Sequence, residues 1–168
     1  MYYAGLDCST LGDDYTSLSI LKYKNGEYSL VRLYRKRKET NEYHLYQIGE
    51  VLRIYKPKVI GIEITGGVGA IYLEQLTRSG WNCQEIRTTQ ESKAVMISLL
   101  QLGLEKQILS YPEEKCVLID ELLSFRRDGK KLEAAPNRHD DTVMSTAFGL
   151  NVTPFGQKDN SVFDDIQL

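Results

Sequence analysis

No run of apolar residues in this 168-residue chain approaches the ~18 that a membrane-spanning helix requires, so no membrane partner is expected. Cysteine is scarce. Cys8, Cys83 and Cys116 are an odd, scattered set without CxxC spacing, which argues against a disulfide scaffold or a zinc site and for a reducing compartment. Nothing at the start resembles a leader: MYYAGLD reads directly as a strand, and no signal or transit segment is expected. Neither sign of charge dominates. A formal net charge of −2 does not advertise a nucleic-acid binder, yet binding depends on local patches, so the sum excludes nothing. Internal repeats, low-complexity tracts and a second domain are also missing. What remains, 42% apolar and 26% charged residues, is ordinary for one globular domain with a real core.

Residues 2–7 read as a strand and 16–23 as a second, joined by a turn carrying Gly12, Asp13 and Asp14. Asn25-Gly26 is a strong hairpin signal, so 28–37 should be a third strand antiparallel to the second. Leu45, Ile48, Leu52 and Tyr55 recur at helical spacing over 41–55, and Pro57 lies beyond that helix. Residues 58–64, KVIGIEI, are nearly all apolar and β-branched, which suits a central strand covered on both faces. Helices are expected over 69–78, 91–106 and 140–150, with strands at 81–87 and 107–110. Pro112 suits the first turn of a helix running to about 125, and Asp128-Gly129 a turn in a basic hairpin. Such an order gives an α/β fold, a mixed sheet with helices on both faces. Residues 153–168, broken by Pro154 and Gly156, should be a flexible tail.

Asp7 and Glu63 each stand near the carboxyl end of a strand, where ligands of open α/β sheets bind. Each has glycine two residues before it, Gly5 and Gly61, which reads as open space beside the carboxylate. A third acidic element, His139-Asp140-Asp141, opens the last helix, whose apolar face must pack on the sheet. Three converging carboxylates repel unless a cation joins them, and hard oxygen donors without a His or Cys cluster suit Mg²⁺ or Mn²⁺. Two such ions ~3.5–4 Å apart could hold a phosphodiester and activate a water. The bland alternative is that Asp7 is a turn residue and the Asp pair a helix cap. Glu63 resists it, because an acid inside VIGIEI has no capping or turn role. Asp13 and Asp14 read as a solvated turn on composition alone.

Four stretches in order, GLDCSTLGDDYTSLSIL, VIGIEITGGVGAIYLEQL, TTQESKAVMISLLQLGLEKQIL and NRHDDTVMSTAFGL, resemble the nuclease domain of the large terminase subunit of tailed phages. The resemblance covers about residues 1–152. It implies an RNase H-like fold, with three antiparallel strands extended by parallel ones. It also implies metal-dependent endonucleolytic cutting of double-stranded viral DNA during genome packaging, in the host-cell cytoplasm. Carried over by position, the catalytic acids are Asp7, Glu63 and one of Asp140 or Asp141, with Asp141 favoured as the inner ligand and Asp140 close by, and with Asp14, or Asp13, assisting a metal. The implied partners are DNA, the terminase ATPase domain, the small terminase subunit and the portal. No GxxxxGK[ST] phosphate loop occurs, so this chain should not translocate DNA by itself.

Two basic stretches could track phosphates. RLYRKRK, 32–38, reads as a solvated edge strand using charge to block aggregation. FRRDGKK, 125–131, leads toward the acidic helix, so Arg126, Arg127, Lys130, Lys131 and Arg138 are the DNA-binding candidates. Lys93 could approach the site, against the plainer reading of a solvent-facing lysine, and His139 could orient an acid or a water. Three rival readings remain: an actin-like or sugar-kinase ATPase, for which one domain is too few; a non-catalytic adaptor docking packaging partners; and a junction resolvase.

Overall fold

The computed structural model describes residues 1–9, 14–112, 116–128, 131–136 and 138–157, with the backbone alone at 126–128 and 131–134. Strands β1 (Tyr2–Asp7), β2 (Thr16–Lys24) and β3 (Glu27–Lys36) form an antiparallel meander. Asn25 and Gly26, at φ 54° and 93°, make the tight turn that the Asn-Gly pair predicts. Helix α1 (Asn41–Tyr55) begins at a Thr40 cap and ends at Lys56 in the left-handed region. Then come β4 (Ile60–Glu63), α2 (Val68–Arg78), β5 (Cys83–Ile86), α3 (Gln90–Glu105), β6 (Leu109–Ser110), α4 (Val117–Ser124), a hairpin of β7 (Phe125–Asp128) and β8 (Lys131–Ala134), and α5 (Asp141–Asn151).

The main sheet runs β5-β4-β1-β2-β3-β6. Strands β4 and β5 extend the meander in parallel on one side, and β6 joins the start of β3 in parallel on the other. Alternation then sorts the side chains. Ala4, Leu6, Leu18, Ile20, Ile60 and Ile62 face α1 and α2 in one apolar cluster. Tyr3, Leu21 and Leu30 face α3, α4 and α5 in the other. None of the described helices is long and apolar enough to cross a membrane.

Helix α5 lies against the centre of the sheet, and every residue from Asp141 to Leu150 is buried. Its composition explains how it fits: Ser145, Thr146 and Gly149 let two backbones approach closely. A Cβ on Gly5 would fall 2.0 Å from the Ser145 carbonyl oxygen and 2.2 Å from the Gly149 nitrogen. One on Gly61 would meet Ile86, Val152 and the Phe148 carbonyl at 2.8–2.9 Å. The two glycines therefore do not leave open space beside the acids, as their positions suggest. The last helix fills it. Ser17, Ser19, Ser145 and Thr146 join strand β2 to this helix through hydroxyl contacts of 2.7–3.0 Å, so the buried polar atoms are satisfied.

Two further expectations change. Helix α4 starts at Val117 after an extended Cys116, so Pro112 is not in its first turn; the apolar run VLIDELL sets the start instead. The packed body also runs past residue 152: Thr153 is buried, Phe155 packs on the core, and Gly156 donates its N–H to Thr153 Oγ1. Residues 158–168 of the tail lie outside the described residues, as do Asp13 and Lys130.

Candidate active site

Strands β1 and β4 are parallel neighbours with Leu6 opposite Ile62, so the next residues, Asp7 and Glu63, end side by side. Asp7 is also paired with Ser17 on β2, and Ser17 with Arg35 on β3. One row across four strands thus reads Glu63, Asp7, Ser17, Arg35, all on the face that α5 covers. The start of α5 lies over this row. A pocket of about 300 Å³ results, lined by Asp7, Cys8, Asp14, Glu63, Asp140 and Asp141 among others. A second cavity of about 320 Å³, between α1 and α2, is lined by no carboxylate.

Each acid is held differently. Glu63 Oε1 accepts the Thr65 N–H at 2.9 Å and the Thr88 hydroxyl at 2.8 Å. The glutamate does brace the turn after its strand, contrary to the sequence reading, but with only one of its two oxygens. Asp140 stands at the N-cap of α5 and makes no side-chain cap hydrogen bond; its Oδ2 accepts from Lys93 Nζ at 3.0 Å. The plain cap reading of this residue therefore fails. Asp141 is 6% exposed, the deeper of the pair. Its Oδ1 accepts the Tyr15 N–H at 3.2 Å, while its Oδ2 is buried with no hydrogen-bond partner. Arg35 Nη2 and His139 Nδ1 stand 3.7 Å from that oxygen, within ion-pair range but too far to bond it.

Lys93 is thus brought to the site rather than left in solvent, and His139 sits edge-on to the Tyr15 ring at 4.9 Å. Asp14 is exposed at the pocket rim, with its carbonyl bonded to Ser9 Oγ. Arg138 is exposed just before the acidic helix. The first basic stretch does more than guard an edge. Arg35 turns inward, lies 3.3 Å from the Tyr15 ring centroid and pairs with Glu121 at 3.0 Å. Glu121, only 5% exposed on α4, was invisible to motif reading: a single Glu in VLIDELLS gives no signal.

The electrostatics favour a cation. Burial pushes the Asp7 carboxyl well above the usual range, and Asp141, Asp140 and Glu63 push it further; Lys93 offsets part of this. Burial also raises Asp141 to about 7, reinforced by Glu121 and Asp140 and opposed by the Tyr15 N–H and Arg35. Hard oxygen donors, mutual repulsion and the orphaned Asp141 Oδ2 fit a divalent ion. Among the described residues no three acidic, imidazole or thiol groups are gathered tightly enough to hold one ion as they stand.

An acid raised in the fold binds its proton more tightly there than in the unfolded chain, so its stabilisation is complete below about pH 4 and lost as pH rises toward 7. In chelator the melting temperature should fall across that window, Asp141 alone contributing on the order of 2–4 kcal/mol. Millimolar Mg²⁺ should recover much of the loss near pH 8. A melting curve indifferent to both pH and Mg²⁺ would contradict the arrangement.

The family model described as "Terminase RNaseH-like domain" matches residues 4–152. The chain is similar in structure to the large terminase nuclease from thermophilic phage G20c: 26% identity, TM-score 0.77, covering 90% of this chain and 82% of that one. Structures of that nuclease with bound magnesium, cobalt and zinc match with TM-scores of 0.76, 0.75 and 0.72. The Thermus phage P74-26 large terminase nuclease domain is 26% identical, with a TM-score of 0.73 over 89% of this chain and 77% of that one. The large terminase of another thermophilic bacteriophage, at 16% identity and TM-score 0.72, shares the fold over 92% of this chain and 40% of its own. No curated protein matches. The mixed sheet with its helices is the RNase H-like arrangement of these nucleases.

Proposed function

The chain belongs to the terminase RNaseH-like domain family, and on that premise we propose that it is a divalent-metal-dependent endonuclease that cuts double-stranded viral DNA during genome packaging. The observation that carries the reading is the pocket itself, where acids from β1, β4 and α5 meet although 56 and 78 positions separate them in sequence. Folding alone has no reason to gather them, since burying like charges together costs stability.

Asp7, Glu63 and Asp141 would hold the ions, with Asp140 and Asp14 at the margin. Bound Mg²⁺ or Mn²⁺, two ions in the full site, would neutralise the phosphodiester and supply hydroxide at neutral pH. The protein's own side chains set the stage. Thr65 and Thr88 fix one oxygen of Glu63 and leave the other uncommitted among the described residues. Lys93 holds Asp140 by a 3.0 Å ion pair and lowers the charge of the pocket. Tyr15 orients Asp141 through its backbone N–H. Plasmid cleavage in Mg²⁺ or Mn²⁺, set against chelator, tests the reading. Binding without cutting under either metal would favour a non-catalytic adaptor, and a strong preference for branched DNA a junction resolvase.

Arg126, Arg127, Lys130, Lys131 and Arg138 belong to the stretch of sequence that leads into the acidic helix, and these are the proposed DNA contacts. Phosphate contacts are indifferent to sequence and weaken with salt. Changing Arg126, Arg127, Lys130 and Lys131 to glutamine should weaken duplex binding and flatten its dependence on salt by ~0.9 in log–log slope for each phosphate no longer neutralised. A slope left unchanged would remove the hairpin from the interface. Partnership with a terminase ATPase domain, a small subunit and a portal in the host-cell cytoplasm belongs to the same proposal. The chain spans only 40% of the third of these relatives, a large terminase that has been solved in complex with ADP.

A further inference from the structure

Helix α5 must solve a conflict at its first turn. Its leading backbone N–H groups need acceptors, and an Asp at the N-cap ordinarily supplies one with its own carboxylate. Here that would consume an acid the pocket requires. Asp140 makes no such bond, and Asp141 Oδ1 turns away to Tyr15. The acceptor comes instead from another helix. Glu121 Oε2, on α4, takes the Thr142 N–H at 2.7 Å, the Val143 N–H at 3.4 Å and the Thr142 hydroxyl. Its other oxygen, Oε1, lies 3.0 Å from Arg35 Nη2 in an ion pair without hydrogen-bond geometry, and the same nitrogen stands 3.7 Å from Asp141 Oδ2; neither oxygen has a hydrogen-bond partner.

We infer that Glu121 is a positioning residue with two duties: it caps α5 from outside, leaving Asp140 and Asp141 to the pocket, and it binds Arg35 so that the guanidinium does not claim Asp141. The geometry supports both parts. Arg35 is wedged between the Tyr15 ring and α4, so it cannot withdraw to solvent without losing its stacking. Only one of two carboxylates can take its full charge, and Glu121 is the nearer by 0.7 Å. Without that partner the cation would turn to Asp141 and oppose a divalent ion over the same oxygen. The inference rests on the metal-binding reading of the pocket.

The test is a charge-swap series read by calorimetric titration with MnCl₂ in the absence of DNA. Glu121→Gln keeps an acceptor for Thr142 but releases Arg35, and should weaken Mn²⁺ binding ~10-fold or more, as an unneutralised cation close to the ion predicts. Adding Arg35→Met to Glu121→Gln removes the competitor, and should restore affinity to within ~3-fold of wild type. A residue that merely stabilised the helix would show no such rescue, because the second change would compound the first. Melting curves on both variants show that the protein titrated is folded; the double variant no longer carries the unpaired guanidinium of the single one, and should fold even where the single one does so poorly. Wild-type affinity in folded Glu121→Gln, or a double variant no tighter than the single, overturns the inference alone. Wild-type protein that neither binds Mn²⁺ nor cuts DNA overturns the reading beneath it as well.

Discussion

Glu63→Ala is expected to lower metal-dependent plasmid cleavage by roughly 100- to 1,000-fold or more, the loss typical of removing one electrostatic contact from a site that stabilises developing charge. The fold should tolerate the change. Glu63 ends its strand half-buried, and the two bonds it would surrender, to the Thr65 N–H and the Thr88 hydroxyl, lie where water can replace them. Removing a carboxylate also relieves repulsion on Asp7, so in chelator the variant should melt no lower than wild type. That combination, dead but sound, separates a catalytic acid from a structural one. Single-turnover nicking of supercoiled DNA in saturating Mg²⁺ and in Mn²⁺, beside a thermal melt, supplies both readings. Cleavage within about 10-fold of wild type would take Glu63 out of the chemistry.

Gly5→Ala should have the largest effect on folding of any single methyl added to this chain's glycines within the sheet. The new carbon would lie 2.0 Å from one backbone atom of α5 and 2.2 Å from another, and neither can rotate away as a side-chain tip could. The helix must lift off β1, opening the hydroxyl contacts to Ser17 and Ser19 and part of the apolar cluster beneath. A loss above about 4 kcal/mol is expected, at the extreme of single substitutions. Gly49→Ala provides the contrast. That glycine sits within α1, where a Cβ would come no nearer than 3.7 Å to the mobile guanidinium of Arg53. The same change there should stabilise by up to about 1 kcal/mol, through helix propensity. Chemical denaturation of the two variants checks both signs. A soluble Gly5→Ala with wild-type stability would mean that the close approach of helix and strand is not tight in solution.

Much of the architecture was legible because local rules and tertiary demands agree in this chain. The Asn25-Gly26 turn, the apolar spacing in 41–55 and the β-branched run around Glu63 each fixed an element that the fold keeps. The acidic pocket was legible for a different reason: charge at a strand end has few uses. What escaped were relations across space. Glycine before an acid looks like room for a ligand, and only the packed helix shows that the room is filled. Arg35 was hidden by a bulge. Counting pairs back from the Asn-Gly turn sets Ser17 opposite Tyr34, but the register shifts between Ile20 and Leu21. That one-residue slip sets Arg35 opposite Ser17 and turns it to the inner face. Glu121 gave no signal because its meaning lies entirely in Thr142 and Arg35, neither of them near it in sequence.

The closeness of Gly5 to Gly149 also governs the order of assembly. A ribosome extrudes the first strand more than a hundred residues before the helix that must cover it, so the centre of the domain waits on nearly the last element of the fold. A chain interrupted before that point lacks its innermost helix and, with it, the carboxylates at 140 and 141. If the pocket is the nuclease site proposed above, unfinished copies would lack two of its acids and could not cut, and competence would arrive in one step, when the closing helix docks.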